Sequence, residues 1–201
     1  MPDRDGIFAG NDPFEIFDRW FESATESEPS DPNAMTLATV DADGMPDLRI
    51  VLLKGVEDNR LVFFTNYESR KGQQLIDTGK AAVNFHWKSL GRQVRFRGQV
   101  TKASAETSDE YYASRPLGSR IGAWASKQSQ PLSDKTVLVD RVAQYEAELG
   151  KNPARPPHWG GFLLEPTEIE FWCQGEFRLH DRFRWSRSIG SNSWTTARIF
   201  P

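Results

Sequence analysis

Met35-Thr36-Leu37-Ala38-Thr39-Val40 reads as a strand of period two, and Asp41-Ala42-Asp43-Gly44 follows it with turn residues. A period-two run that ends in such a turn predicts one arm of an antiparallel hairpin. Leu48 to Lys54 supplies the second arm and Arg60 to Thr65 a third, so this stretch predicts a meander. Working outward, strands are expected at Ala81 to Trp87, Arg92 to Lys102, Gly161 to Leu164, Glu168 to Trp172, Phe177 to Trp185 and Trp194 to Phe200. Between them lie helical signals. Asp12-Pro13-Phe14-Glu15 reads as a helix start, with Phe14, Phe17, Phe21 and Ala24 on one face. Ser69 to Thr78 stops at Gly79, and Ser104 opens a helix to about Ser114. Ser133 opens another to Leu149, with Leu138, Val142, Tyr145 and Leu149 on its face. About eight strands with short turns predict a mainly β, antiparallel barrel or sandwich with appended helices. Residues 1–11 are expected to be disordered and residues 12–201 to form a single domain.

Composition narrows the function classes. A net charge of −3 and an isoelectric point near 5.7 argue against a general nucleic-acid binder, which needs a net basic surface. No apolar run approaches membrane-spanning length, and no membrane association is expected. Met1 to Asn11 lacks the apolar core of a signal peptide, so a cytoplasmic location is expected. The single cysteine, Cys173, excludes an intramolecular disulfide, and His86, His158 and His180 are too scattered to show metal-ligand spacing. No metal is expected. There is no Gly-x-Gly-x-x-Gly opening a helix, no Walker loop and no Gly-x-Ser-x-Gly elbow.

Several cationic constellations remain. In a strand over Phe177 to Trp185, one face carries Phe177, Leu179, Asp181, Phe183 and Trp185, and the other Arg178, His180, Arg182 and Arg184. The second face is either solvated or a site for an anion. Arg49-Ile50-Val51-Leu52-Leu53-Lys54 is an apolar strand bounded by two cations, read either as a core strand with charged ends or as a ligand wall. Ser69-Arg70-Lys71-Gly72 puts two cations where a helix prefers acids. A phosphate bound there relieves the conflict, and Gly72 would leave room for it; two solvated side chains are the alternative. Gln93 shares a strand face with Arg95 and Arg97. Tyr111, Arg115 and Ser119 span a helix end and the turn after it, and together suit a phosphate.

Met35 to Val40, Arg49 to Lys54, Phe64-Thr65-Asn66, Ser69-Arg70-Lys71, Arg92-Gln93-Val94, Ser114-Arg115-Pro116, Ile121 to Ser129, Trp159-Gly160-Gly161-Phe162, Glu170-Phe171-Trp172 and Arg178 to Phe183 resemble, in order, the pyridoxamine/pyridoxine 5-phosphate oxidase family. The ending Arg198-Ile199-Phe200-Pro201 is similar to that family's Arg-Leu-x-Pro terminus, while Cys173-Gln174-Gly175 departs from its usual loop. The resemblance implies an FMN-binding split β-barrel working as a homodimer, with flavin at the subunit interface. Carried over by position, Arg49, Ile50, Val51, Leu52, Leu53 and Lys54 lie along the flavin. Phe64, Thr65, Arg70 and Lys71 add ring and phosphate contacts, and Gln93, Gln128, Ser129, Trp172 and Arg182 close round it. Lys54, Tyr111, Arg115 and Ser119 match the substrate-phosphate clamp. Arg178, Leu179 and His180 match the segment over the pyridine ring, with Arg178 and His180 as the implied catalytic pair. Arg49 and Lys54 fall on opposite faces of a regular strand; either a bulge or end twist reconciles them, or the backbone rather than both side chains meets FMN.

The implied reaction moves hydride from C4′ of pyridoxamine or pyridoxine 5-phosphate to the flavin. O2 then reoxidises the flavin to give hydrogen peroxide; the alcohol gives pyridoxal 5-phosphate directly, and the amine gives an imine that water hydrolyses to pyridoxal 5-phosphate and ammonia. Two other functions stay open: a related flavin oxidase such as one of phenazine biosynthesis, and a non-catalytic flavin- or pyridoxal-phosphate-binding protein.

Overall fold

The structure, a computed structural model, describes residues 5–201. The hairpin expected from Met35 onward forms from β1 (Ala34–Val40) and β2 (Pro46–Leu52), paired antiparallel with Ala34 opposite Leu52. Its turn is held by the Asp41 carboxylate, which accepts from the N–H groups of Asp43 and Met45, while Gly44 takes φ 82°. The chain continues through β3 (Gly55–Glu57), β4 (Arg60–Asn66), β5 (Lys80–Trp87), β6 (Arg92–Lys102), β7 (Trp159–Cys173), β8 (Asp181–Ser186) and β9 (Thr195–Arg198). Among the described residues these nine strands form one antiparallel sheet, in the order β2-β1-β5-β6-β7-β4-β3, with β8 on β7 and β9 on β8.

The fold turns on β7. The sequence predicts two strands here, Gly161–Leu164 and Glu168–Trp172; the structure runs them together as one 15-residue strand. One edge pairs with β6 over residues 162–173. The other edge pairs with β4 over residues 159–164 and with β8 over residues 168–173, so the sheet forks. Pro166 sits at the fork, where a missing N–H costs no ladder bond. Opposite it the register slips between Arg97 and Gly98, and a side chain at Gly98 would collide with the Glu165 carbonyl. Close backbone approach therefore requires glycine there. The other end of the sheet curls back through Leu53-Lys54. Leu53 N–H donates to Asn33 O and Lys54 N–H to Val62 O, which tie β1 to β4.

α1 (Pro13–Ser27) closes the apolar interior, capped by Asp12, whose carboxylate accepts from Phe14 N–H at 2.8 Å. Phe14, Ile16, Phe17, Trp20 and Ala24 are buried. Phe17 packs edge-on to Phe96 at 5.0 Å and Trp20 edge-on to Phe171 at 5.2 Å, within a core that includes Phe85, Val94, Ile169 and Trp185. Residues 6–8 form a 3-10 turn rather than the disorder expected of residues 1–11, because Phe8 is buried between Trp20 and Phe183. The expectation for residues 1–4 lies outside the described residues.

α2 (Arg70–Thr78) and α3 (Ala105–Ser114) follow their predicted caps, Ser69 and Ser104. α5 (Lys135–Leu149) starts one residue later than expected, capped by Asp134. α4 (Leu117–Ala125) is a helix the sequence reading missed; its Ile121 and Ala125 are buried. No helix among the described residues is long and apolar enough to cross a membrane.

The largest correction concerns Phe177 to Trp185. Only Asp181–Ser186 is strand. Cys173 opposite Asp181 is the last β7–β8 pair, so residues 174–180 are the hairpin connection. Glu176–Arg178 is a 3-10 turn in which Phe177 and Arg178 both take positive φ, 53° and 66°. Phe177 is 90% exposed and Leu179 71%, so they do not share the expected face with Phe183 and Trp185, which are buried. The four-cation strand face does not exist: Arg178 and His180 lie in the connection, and only Arg182 and Arg184 are on β8.

Candidate functional site

Two groups of residues emerge, at the two ends of β7. The first begins with β4 and the turn after it. Phe64, Thr65 and Asn66 end β4, Ser69 caps α2, and Lys71 lies in the first helical turn. Lys71 Nζ donates to Gln128 Oε1 at 2.9 Å and lies 3.3 Å from Thr65 Oγ1. Burial and the neighbouring Arg49 push its pKa down, while Asp47 pulls the other way. Arg49 pairs with Asp47 at 2.7 Å, and Arg70 lies 3.7 Å from the same carboxylate and 3.8 Å from Asp41. Three cations thus gather at a helix N-terminus, balanced by two nearby acids. Gly72 is needed for a reason the sequence reading missed. A side chain there would strike the carbonyl oxygens of Asn66 and Tyr67, so glycine lets α2 pack on the turn rather than leaving room for a ligand.

A cavity of about 320 Å³ opens beside Lys71. Ile50, Val51, Leu52, Lys54, Phe64, Thr65, Asn66, Tyr111, Arg115, Gln128 and Trp159 complete its lining. Phe64, Tyr111 and Trp159 are near-parallel rings, Phe64 on Tyr111 at 4.0 Å and on Trp159 at 5.6 Å. Lys54 Nζ stands 5.7 Å from the Tyr111 ring, and the Arg115 guanidinium lies on Trp159 at 4.6 Å. Arg115 Nη1 is buried without a hydrogen-bond partner, and burial pushes the group's pKa down. A desolvated guanidinium with an idle donor is a ready seat for an anion. Ser119 lines an adjoining space of about 260 Å³ that shares Asn66, Arg115, Gln128 and Trp159.

This resolves the misfit of Arg49 and Lys54. β2 ends at Leu52, so Lys54 is off the strand, and its side chain turns to Tyr111. Leu53 is buried in the core, its N–H and C=O both bonded to Asn33. It does not reach the cavity. Trp159 and Asn66 line the cavity although neither was singled out; both lie within the quoted motifs. The Trp-Gly-Gly run carried a signal, because side chains at Gly160 and Gly161 would meet Tyr67 and Phe64. Ser129, at φ 72°, lies beside Gln128 on a separate cleft against α5.

The second group lies at the other end of β7. Trp172 pairs with Gln93 on β6 and with Arg182 on β8, placing the three in one cross-strand row. The His180 ring stands 4.5 Å from Trp172, and its Nδ1 faces the Gly175 N–H at 3.2 Å. With Nδ1 as the acceptor there, the ring carries a proton on Nε2. Gly175 is obligatory, since a side chain would collide with the Leu179 carbonyl. Trp159 and Trp172 are separated by about 40 Å of extended strand at roughly 3.3 Å per residue. No hydrogen bond or ring contact joins the two groups among the described residues.

The comparisons with known proteins decide the family. Residues 21–173 match the family model described as pyridoxamine 5'-phosphate oxidase, and residues 159–201 match the pyridoxine 5'-phosphate oxidase C-terminal dimerisation region. The chain belongs to the pyridoxamine 5'-phosphate oxidase family. It is 55% identical to the pyridoxine/pyridoxamine 5'-phosphate oxidase of Ruegeria sp. (strain TM1040) over 100% of both chains. It is 58% identical to that of Paracoccus denitrificans, over 96% of this chain and 90% of the relative. Among solved structures, PhzG from Burkholderia lata 383, in complex with tetrahydrophenazine-1-carboxylic acid, superposes with a TM-score of 0.90. It is 32% identical, over 100% of this chain and 97% of that one. A pyridoxamine 5'-phosphate oxidase-related, FMN-binding protein of Nostoc punctiforme shares the fold, with a TM-score of 0.74 at 17% identity and coverage of 98% and 100%. The forked sheet is that of FMN-binding split-barrel proteins, and the family's dimerisation region spans β7, β8 and β9.

Proposed function

We propose that this chain is an FMN-dependent oxidase that converts pyridoxamine and pyridoxine 5'-phosphate to pyridoxal 5'-phosphate in the cytoplasm, using O2 and working as a homodimer. The observation that carries the reading is a single cavity provided with two cationic seats, Lys71 at the α2 N-terminus and Arg115 on Trp159. Two seats suit two phosphates, one of the cofactor and one of the substrate.

The residues present fit FMN. Lys71, with Arg49 and Arg70 beside it, forms a cationic helix N-terminus suited to a phosphate. Ile50, Val51 and Leu52 offer an apolar wall, and Thr65 and Gln128 offer polar edges. When bound, FMN supplies the two-electron acceptor for the C4′–H bond. The protein's share is positioning and charge. Arg115, Lys54, Tyr111 and Ser119 anchor the substrate phosphate, and the Phe64–Tyr111–Trp159 stack keeps water from that anchor. Arg178 sets the pyridine ring, and His180 offers an Nε2–H donor to the substituent on C4′.

Homodimerisation supplies what one chain leaves apart. Gln93, Trp172, Arg182 and the connection 174–180 lie at the far end of β7 from the cavity, so a second copy brings them to it. β2 presents Leu48 and Ile50, 62% and 61% exposed, on an edge strand, a surface suited to burial against another chain.

A second reading, a flavin oxidase of phenazine chemistry, draws on the TM-score of 0.90 to PhzG. Identity of 55–58% to vitamin B6 relatives, against 32%, favours the first reading. The test is to purify the protein, identify the flavin released on denaturation, and add pyridoxamine 5'-phosphate in air. Released FMN, with peroxide and pyridoxal 5'-phosphate formed in step, is expected. A flavin-loaded protein that turns over no B6 phosphate refutes this reading and leaves a phenazine-type substrate or a non-catalytic carrier.

A further inference from the structure

Glu170 is a buried carboxylate, its side chain 4% exposed, in the middle of the second half of β7. Its Oε1 accepts from Arg182 twice, from Nε at 3.0 Å and Nη2 at 2.7 Å, and its Oε2 accepts from Arg95 Nη2. Arg182 Nη1 donates in turn to Phe200 O at 2.9 Å, and Ile199 N–H returns to Arg182 O at 3.0 Å. Three N–H groups of the Arg182 guanidinium are therefore occupied, which leaves two of its five donors beside Trp172.

A buried ion triad is a poor way to stabilise a sheet. Desolvation of the carboxylate offsets most of the attraction, and apolar side chains of similar volume do as well or better. What Glu170 does provide is direction. Both Arg182 bonds go to one oxygen, and the segment after β9 holds the third N–H through Phe200 O, so the guanidinium has one orientation. The pair with Arg95 is of a different kind. Arg95 is half exposed and stands on the opposite side of the carboxylate from Arg182.

We propose that Glu170 is the positioning residue that sets Arg182 for flavin, with Arg95 a dispensable counter-charge. This rests on the FMN reading above. Arg182 approaches the cofactor with two donors fixed in advance, so little rotamer entropy is lost on binding. Position, rather than charge, is the contribution of Glu170.

Two substitutions separate these terms. Glu170→Asp keeps the charge but ends one methylene short of Arg182. Glu170→Gln keeps an oxygen at the same reach and loses the charge, and Arg95 then turns to water. FMN dissociation constants of the apoproteins, from quenching of flavin fluorescence, are expected to weaken about tenfold in Glu170→Asp. They are expected to stay within about threefold of the parent in Glu170→Gln and Arg95→Ala. Visible circular dichroism of bound flavin should change only in Glu170→Asp, and melting of each apoprotein checks the fold. Should Glu170→Asp fail to fold, Glu170→Gln against Arg95→Ala decides, because Glu170→Gln binding beyond threefold weaker overturns the positional role. Parent-like binding by Glu170→Asp, or equal losses in Glu170→Asp and Arg95→Ala, also overturns the proposal while leaving the FMN reading intact. A parent protein that takes up no FMN refutes both.

Discussion

Arg115→Ala is expected to damage substrate binding without damaging the fold, and the structure gives both sides of that balance. In the substrate-free protein the guanidinium lies on Trp159 at 4.6 Å, while Nη1 is buried and unpaired. Truncation removes a cation–π contact worth about 0.5–2 kcal/mol. It also relieves an unsatisfied donor that costs about 1–3 kcal/mol. The terms oppose, so any net destabilisation is about 1 kcal/mol at most, a Tm loss of roughly 2–4 °C for a chain of this size. With substrate present, the phosphate loses a charged hydrogen bond worth about 1.5–3 kcal/mol. That raises KM on the order of ten- to a hundred-fold. The contact is remote from C4′ and similar in ground and transition states, so kcat changes less. Unphosphorylated pyridoxine offers no such contact and should lose little. Steady-state kinetics with both substrates under air, after flavin occupancy is matched, together with thermal melting, measure each term. A Tm loss beyond about 6 °C, or equal loss of kcat/KM for both substrates, refutes the assignment.

Two further outcomes are expected. Burial and Arg49 hold the Lys71 ammonium below its ordinary value of 10.5, so between its folded-state pKa and 10.5 the unfolded chain binds more protons. Apoprotein stability should therefore rise with pH across that window, while FMN affinity, which needs the ammonium, should fall; Lys71→Met should flatten both curves in melting and flavin titrations from pH 7 to about 10.5. Ile50→Asp places a charge on the exposed apolar row of β2 and should yield a monomer by light scattering that retains little flavin; a flavin-loaded dimer would contradict the interface.

Local rules were legible wherever one chain satisfies them by itself. The β1–β2 hairpin with its Asp41 turn, and α2 between Ser69 and Gly79, follow from periodicity and capping alone. Periodicity does not bring Lys54, Tyr111 and Arg115 together; only the family resemblance groups them, and the structure lines one cavity with all three. Long-range facts were not legible. The continuity of β7 across Pro166 depends on β6 slipping register at Gly98, a constraint set by a neighbour distant in sequence. α4 was missed because it follows Pro116 without a polar cap, its N-terminus having no side-chain hydrogen bond. Glu170 carries no signal of its own within the expected strand, and only the register of three strands shows Arg95 and Arg182 converging on it.

The failure at Phe177 to His180 is of another kind. Alternation predicts an inward face only where a residue's own sheet continues, and here pairing stops at Cys173 and Asp181. Beyond that point Phe177 and Arg178 adopt left-handed backbone that costs bulky side chains about 1–3 kcal/mol each. Phe177 and Leu179 meanwhile stay exposed and recover none of it within this chain. Apolar side chains held outward on a strained backbone are sensible only if something else covers them. β2 makes the same statement at Leu48 and Ile50, where polar residues would protect an edge strand. The positions at which a single chain breaks its own rules are therefore the positions that a second chain is expected to complete. They flank the cavity and the Trp172 row, the two halves that one copy holds apart.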